Sequence, residues 1–459
     1  MPAPPPRKPR PPLPEGPFLV VGLARSGQAA VRLLAERGEA VRGCDSGRPA
    51  GARRLADAGV EVHLDVDGVA LLEGTRAVVK SPGVPAEAAV IRAARERGLD
   101  VLGELELAWR ALPNRFLAVT GTNGKTTTTE LLGNVYRTAG EPVAVAGNVG
   151  TPLASLAGEI AGDATVVCEC SSFQLEDTEA FAPECAVFLN LAPDHLDRHR
   201  DLEAYLAAKL RIFANQGNDD VAVYNADEPA LAGEDLGGCA RRVAFCHGDA
   251  PDCEIALGGG TIFYRGEPLL EAAELALLGA HNLENAMAAA AAALAMGLPR
   301  EAVAEGLRSF AGVAHRLEPV AEIDGVEFFN DSKATNVASA TVGLQAFSGG
   351  VHAILGGSDK GEPFAPLIEP VRERCVACYL IGATANRLAA ELAPVIEAGV
   401  ELHRSAGLEE AVRRAAAAAS PGEVVLLSPA CASFDAFGDF EERGRAFREI
   451  VGRFEAGLL

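Results

Sequence analysis

Short apolar runs recur along the chain, and each stops at a glycine or polar cluster. The run Phe18–Val21 leads into Gly22-Leu23-Ala24-Arg25-Ser26-Gly27, then into helical spacing through Arg37, which Gly38 stops. A second run ends at Asp45. Strand, glycine turn, helix, strand and acid in that order predict a Rossmann-like opening. Ala24 stands where the dinucleotide fingerprint has its middle glycine, the residue that lets backbone approach a pyrophosphate. A dinucleotide is therefore disfavoured. A ligand-free tight turn and a related nucleotide at the same switch point both stay open. Ser81-Pro82-Gly83 makes a second turn after the run 77–79.

The pattern repeats further on. Residues 116–119 form an apolar strand that enters Thr120-Gly121-Thr122-Asn123-Gly124-Lys125-Thr126. A helix follows, with Leu131, Leu132, Val135 and Tyr136 on one face and Gly140 at its end. The run 165–168 closes on Glu169, and the run 186–189 leads to Asp194, His195 and Asp197. Runs at 326–329, 351–355, 378–381 and 424–427 stop at NDSKATN, GGSDKG, GATAN and SPACAS. In a parallel sheet such loops share the carboxyl edge and line one crevice. Alanine-rich stretches at 286–293 and 415–419 predict packed helices. The fold expected is α/β with three domains: Rossmann-like at 17–112, P-loop ATPase-type at 113–312 and Rossmann-like again at 313–459.

Composition narrows the function. Hydrophobic residues make up 49% and charged residues 23%, enough to bury a large core and exclude global disorder. A formal charge of −22 repels phosphate backbones, so nucleic acid is not an expected partner. No apolar run reaches the roughly 18 residues that span a bilayer, so membrane insertion is not expected either. Residues 1–16 are basic and proline-rich without an apolar stretch, and read as a disordered tail rather than a signal peptide. Ten scattered cysteines in such a chain are expected to be reduced thiols, which implies a cytoplasmic protein. The Cys375/Cys378 pair sits in an apolar strand context and reads as structural.

The turn before Thr126 carries the chemistry. Strand, GTNGKT and helix make a phosphate-binding loop, whose backbone N–H groups and helix terminus face phosphates. Lys125 pairs with the β/γ-phosphates and the Thr126 hydroxyl serves Mg²⁺. Val119 occupies the first glycine position of the strict motif, so Gly121 and Gly124 anchor a variant loop. Magnesium needs hard oxygen ligands, and Glu169 at a strand end supplies one. His195 and His199 are four apart, a zinc-compatible spacing without an evident third ligand. Lys209, in AAKLRIF, has two readings. It snorkels along an apolar face, or desolvation lowers its pKa so that the neutral amine captures CO₂ as a carbamate.

VTGTNGKT (119–126), AGNVG (146–150), ECSSFQLE (169–176), DHLDRH (194–199), AAKLRIF (207–213), GAHNLENA (279–286), AHRLE (314–318), NDSKATN (330–336) and SPACASFDAF (428–437) occur in one order. In these motifs the chain resembles the Mur ligases from Phe18 onward. NDSKATN with SPACAS points to the D-glutamate-adding branch. GTNGKT alone also fits other Mur-type or folylpolyglutamate-type ligases with a different acceptor, which remain the alternative. The resemblance implies ATP-dependent ligation of D-glutamate to UDP-N-acetylmuramoyl-L-alanine through an acyl phosphate, in peptidoglycan and cell-wall biosynthesis, by a monomer. It implies that Arg25, Ser26, Ser46, Ser81, Asn148 and His195 hold the UDP-sugar. Gly121, Thr122, Asn123, Gly124, Lys125, Thr126, Thr127, Asn282, Asn285, Arg316 and Asp331 would bind ATP. Thr126, Glu169, His195 and a carbamylated Lys209 would hold two Mg²⁺. Lys333, Thr335, Lys360, Ser433 and Phe440 would surround D-glutamate. Lys125, Glu169, His195 and Lys209 are the expected catalytic set. Three substrates on three segments imply hinges near Pro113 and Gly312.

Overall fold

The computed structural model describes residues 5–194, 198–232, 235–248, 253–277, 279–359 and 361–457. The chain forms two compact units, Met1–Ala276 with Ala280–Phe310, and Leu277–Gly279 with Ala311–Leu459.

The first unit contains two sheets. Strands β1 (Phe18–Val21), β2 (Val41–Asp45), β3 (Glu61–Leu64), β4 (Ala77–Lys80) and β5 (Asp100–Gly103) form a sheet in the order β3-β2-β1-β4-β5. All of its pairings are parallel. β1 and β4 are fully buried, which explains their unbroken apolar runs. The strand order reverses between β1 and β4. Ligands of open α/β sheets collect at such a switch point.

The second sheet comprises β6 (Arg115–Thr120), β7 (Val143–Gly147), β8 (Thr165–Glu169), β9 (Cys185–Phe188), β10 (Val221–Asn225), β11 (Arg241–His247), β12 (Ile255–Gly258), β13 (Thr261–Tyr264) and β14 (Glu267–Glu271). Its order is β14-β13-β12-β11-β10-β9-β6-β8-β7, so β6 lies between β9 and β8. The strands from β7 to β12 run parallel, and β12–β14 form an antiparallel ribbon at the edge. One hydrophobic core runs through both sheets. It joins Phe18, Val20 and Val79 to Trp109, Phe116, Phe181 and Phe188. That continuity packs the two sheets as a single unit.

The second unit holds β15 (Glu318–Ile323), β16 (Val326–Asn330), β17 (Val351–Gly356), β18 (Cys375–Ile381), β19 (Glu401–Arg404) and β20 (Val424–Leu427), ordered β15-β16-β20-β17-β18-β19. β16, β20, β17 and β18 are adjacent and parallel. The loops NDSKATN, SPACAS, GGSDKG and GATAN therefore leave neighbouring carboxyl ends, as the alternation of runs and polar clusters implies. Cores lie on both faces of this sheet.

Two details depart from composition. Residues 5–16, expected to be a disordered tail, have defined partners: Lys8 meets Asp220 at 2.7 Å and Arg10 meets Glu184 at 3.1 Å. A few cations matched to buried carboxylates outweigh the proline-rich average. Cys246 and Cys253 are joined by a disulfide, whereas all ten cysteines were expected to be reduced. The pairing of β11 with β12 brings the two cysteines near one another, which sequence scatter does not reveal. Cys378 is buried in β18, in keeping with a structural role.

Candidate active site

The turn after β6 is built by two glycines. Gly121 has φ +152° and Gly124 has φ +81°, just before the helix Lys125–Thr138. A β-carbon on Gly124 would lie 2.1 Å from Asn285 Oδ1. Glycine suits that conformation, and any added side chain would have to displace Asn285. The Lys125 ammonium donates to the carbonyls of Gly121 (2.9 Å) and Thr122 (2.7 Å), so it is held inside the loop. The Asn123 N–H donates to Asn190 Oδ1 at 2.9 Å. Thr127 is buried. Thr128 Oγ1 donates to Asn285 Oδ1 (3.2 Å), and Asn285 Nδ2 donates to Asn282 Oδ1 (2.9 Å). Both asparagines thus stand beside the loop, although more than 150 residues separate them from it in sequence.

The Thr126 hydroxyl donates to Glu169 Oε2 at 2.6 Å, and Asn148 Nδ2 donates to Glu169 Oε1 at 3.1 Å. Glu169 ends β8, the neighbour of β6, so sheet order alone carries it to the loop. A hydroxyl and a carboxylate in contact are hard oxygen donors of the type Mg²⁺ takes. Lys209 lies in the helix Leu202–Ala214 and is 1% exposed. It does not snorkel. Its Nζ donates to the Gly121 carbonyl at 2.6 Å and sits 4.4 Å from the Tyr205 ring centroid. Burial, then the neighbouring Lys125 charge, lowers its pKa to about 6, against the pull of Asp194 and Glu169. Burial thus disfavours its charged form. Thr126 and Glu169 thus place two hard oxygens that fit Mg²⁺, and the Lys209 amine lies at the same loop.

His195 and Asp197 lie outside the described residues. His199 is buried. Nε2 is 2.9 Å from Ser172 Oγ and Nδ1 is 3.2 Å from Glu176 Oε1, and the ring stacks on Phe173. That ring is engaged on both nitrogens, which argues against the zinc spacing. Ser171 and Gln174 form a capping box at the helix Ser172–Glu176. Among the described residues no cluster of three or more His, Cys, Asp or Glu side chains is placed to hold a metal.

A cavity of about 600 Å³ opens at the switch point of the first sheet. Arg25, Ser26, Ser46, Ser81 and Asn148 all line it. Gln174 lines it too, from the second sheet's side, and nothing in the sequence pattern singles it out for this. Ser81 Oγ donates to the Gly22 carbonyl at 2.7 Å. Asp45 accepts the N–H groups of Leu23 (2.7 Å) and Gly47 (2.8 Å), so the acid that ends β2 braces the turn.

In the second unit Asp331, after β16, is buried. It accepts from Ser428 Oγ at 2.7 Å and from the Leu317 N–H at 3.3 Å. Burial raises its pKa to about 7, against the Ser428 hydrogen bond and the charge of Arg316. The Lys333 N–H donates to the His315 carbonyl at 2.9 Å. Thr335 follows in the same loop, and Ser433 is buried after β20. Phe440 opens the helix Phe440–Glu455, and its carbonyl accepts from Ser332 Oγ at 2.7 Å. Lys360 lies outside the described residues. Asp359 pairs with Arg387 at 2.6 Å, and the Gly361 N–H together with Arg387 holds its carboxyl below the usual range. Sequence reasoning missed Arg443. It is 1% exposed and donates to Ser332 Oγ (3.0 Å), the Ser332 carbonyl (2.8 Å) and the Cys431 carbonyl (3.1 Å). It ties the loop after β16 to the loop after β20. The available signal was an arginine in register with Phe447, Ile450 and Val451 on the buried helix face.

Three family models match successive parts of the chain. The Mur ligase MurD-like N-terminal domain matches residues 17–103, the Mur ligase middle domain 119–293, and the Mur ligase glutamate ligase domain 315–431. A protein of Anaeromyxobacter dehalogenans is 46% identical over 456 residues, covering 94% of this chain and 96% of its own length. One of Pelotomaculum thermopropionicum is 43% identical, with coverages of 96% and 98%. One of Acidobacterium capsulatum is 42% identical, with coverages of 94% and 95%. All three are named UDP-N-acetylmuramoylalanine–D-glutamate ligase. In fold, the chain is similar to the UDP-N-acetylmuramate-alanine ligase of Thermotoga maritima, with TM-score 0.62 at 19% identity over 96% of this chain and 100% of that one.

Proposed function

The chain belongs to the Mur ligase family, and from that premise we propose that it joins D-glutamate to UDP-N-acetylmuramoyl-L-alanine, converting ATP to ADP and phosphate, in peptidoglycan precursor synthesis. Members of this family depend on ATP and generally use Mg²⁺. The observation that carries the reading is the corner where Lys125, Thr126, Glu169 and Lys209 converge at the ends of two adjacent strands.

A carboxylate does not condense with an amine in water without activation. The γ-phosphoryl group of ATP passes to an oxygen of the alanyl carboxylate, and ADP leaves. The D-glutamate amine attacks the carbonyl carbon of the acyl phosphate, a proton leaves the nitrogen, and phosphate is expelled. The first step brings two anions together. Lys125 exchanges its loop carbonyls for phosphate oxygens and offsets the charge that spreads over them. Mg²⁺, when bound, adds further neutralisation. Thr126, Glu169, His195 and Lys209 would hold it, with two ions assigned. Lys209 serves as a carbamate: its neutral amine forms an N–C bond to CO₂ and releases a proton. The low pKa of that amine supports the assignment, because an ammonium has no lone pair to give.

ATP is assigned to Gly121–Thr127 with Asn282 and Asn285, and to Arg316 and Asp331. The sugar nucleotide is assigned to Arg25, Ser26, Ser46, Ser81, Asn148 and His195, most of which share one cavity. D-glutamate is assigned to Lys333, Thr335, Lys360, Ser433 and Phe440. Domains divided at 112/113 and 312/313, a monomeric state and a cytoplasmic site of action complete the proposal. No helix among the described residues is long and apolar enough to cross a membrane. The test is incubation with ATP, UDP-N-acetylmuramoyl-L-alanine and a panel of amino acids, with phosphate detection. Release is expected with D-glutamate. Release with L-alanine or meso-diaminopimelate, and none with D-glutamate, would refute the assignment.

A further inference from the structure

Residues 5–16 carry no regular secondary structure, yet they meet the first unit at both of its sheets. Along the amino-terminal edge of the second sheet, Arg115 donates to the Pro5 carbonyl at 2.9 Å, and Lys8 pairs with Asp220 at 2.7 Å. Asp220 immediately precedes β10, and its side chain is 1% exposed. Arg10 Nη2 donates to the Asn114 carbonyl at 2.7 Å and to Glu184 at 3.1 Å. Glu184 immediately precedes β9 and is fully buried, and it also accepts the Phe116 N–H at 2.7 Å. Two buried carboxylates at strand starts thus take their cations from this segment. Removing one partner of such a pair leaves an uncompensated charge, which is strongly unfavourable. Toward the first sheet, Arg110 donates to the Pro12 carbonyl at 3.2 Å and Glu15 meets Arg76 at 2.6 Å. That last pair is exposed and contributes little.

The centre of the segment is Arg10. Its guanidinium lies 4.4 Å from the Trp109 ring centroid and 5.7 Å from that of Phe116. Trp109 is edge-on to Phe181 at 5.8 Å, and Phe116 to Phe181 at 6.4 Å. Trp109 belongs to the helix Glu104–Ala111, which directly follows β5 of the first sheet. The same helix grips the second sheet's loops. Glu106 accepts the N–H groups of Glu179, Ala180 and Phe181, and Glu104 accepts that of Ala154. Just before this gripped stretch, Asp177 pairs with the buried Lys80 at 2.6 Å. Lys80 ends β4 and precedes Ser81, and Gln174 precedes Asp177 by three residues. Ser81 and Gln174 both line the cavity. A continuous run of packed and ion-paired groups therefore leads from Arg10 to the cavity wall.

We propose that residues 5–16 are a strap and that Arg10 is a positioning residue. By clamping Trp109 and Glu184 it holds the second sheet's wall of the cavity at Gln174 against the turns after β1 and β4, and so sets the affinity for a nucleoside diphosphate. This rests on the assignment of that cavity to the UDP-sugar.

The test uses Arg10→Ala and Arg10→Lys in the full chain. Trp109 is the sole tryptophan, so intrinsic emission reports the strap's seat directly. UDP affinity by calorimetry and the KM of each substrate report the cavity. Arg10→Ala should shift the emission to the red and weaken UDP binding about tenfold, or ~1.4 kcal/mol. The KM of the sugar nucleotide should rise with it, while that of D-glutamate stays within experimental scatter. Arg10→Lys keeps a charge for Glu184 but not the fork, and should fall between wild type and Arg10→Ala; it decides the matter if the alanine variant does not fold. An emission shift with unchanged UDP affinity overturns the positioning role. Unchanged emission overturns the strap's seating. A wild-type chain that binds no UDP overturns the assignment of the cavity, and the proposal with it.

Discussion

The turn after β1 and the turn after β6 share one plan: a buried strand, a glycine at positive φ (Gly22 at +86°, Gly121 at +152°) and a helix. They differ in what closes them. Both helices begin without a side-chain cap, but after β1 the neighbouring strand ends in Lys80, which turns to the Val84 carbonyl and Asp177. A roomy cavity results, about 600 Å³, with Arg25, Asp45 and Asp67 among its lining residues. After β6 a lysine fills the loop, and the neighbouring strand ends in a carboxylate that grips Thr126. Glycine turns thus create room for a nucleotide. The residues at the first helical positions, and at the end of the adjacent strand, set which side chains face each turn.

Substitutions sharpen or break this contrast. Lys125→Ala should reduce phosphate release about 10²–10³-fold, the scale of losing one charge-stabilising donor. Calorimetric UDP binding should be unchanged. Equal loss of both would mean that the two turns are not separate sites. Gly27→Ala strikes the other corner. A β-carbon there would fall 1.8 Å from the Gly22 carbonyl oxygen and 2.7 Å from Ser81 Oγ. Backbone cannot yield that far, so stability should drop by about 1–3 kcal/mol and UDP affinity with it, read by thermal melting and calorimetry, while ATP affinity holds. Gly124→Ala combines an unfavourable φ with the 2.1 Å approach to Asn285 Oδ1, a side-chain atom that can swing away. A milder effect is expected, about 1–2 kcal/mol of local strain, seen as a raised KM for ATP alone.

Two further predictions concern pH dependence. As the free amine, in CO₂-depleted buffer, Lys209 has a folded pKa of about 6 against an ordinary 10.5, so the unfolded chain binds the extra proton between those values. Its contribution to stability is fully present above about pH 10.5, falls with falling pH, and is lost below about 6. Asp331 runs the other way. Its folded pKa of about 7 exceeds the ordinary 3.8, so its contribution is present below 3.8 and lost as pH rises through 7. Melting temperatures across pH should show Lys209→Met flattening the alkaline slope and Asp331→Asn flattening the acid one. Parallel slopes in variants and wild type would place these titrations elsewhere.

Much of this was legible in the chain. Fully buried parallel strands leave unbroken apolar runs, so β1, β4, β6, β8 and β20 could be read to within a residue or two. The phosphate loop was legible because its glycines, lysine and threonine are contiguous. Other features depend on distant segments meeting. Gln174 at the cavity, Arg443 between two loops, His199 locked on Ser172 and Glu176, and the strap over Trp109 have no local signature.

By itself the sequence determined which segments become strands and where glycine turns and charged helix starts fall, because those follow from side-chain periodicity and backbone freedom within a few residues. Only the tertiary structure decided that Lys209 lies buried rather than along a surface, that Glu169 meets Thr126, and that a proline-rich segment is held in place. Each depends on desolvation and on partners brought close by sheet order, and neither quantity exists until the chain has folded.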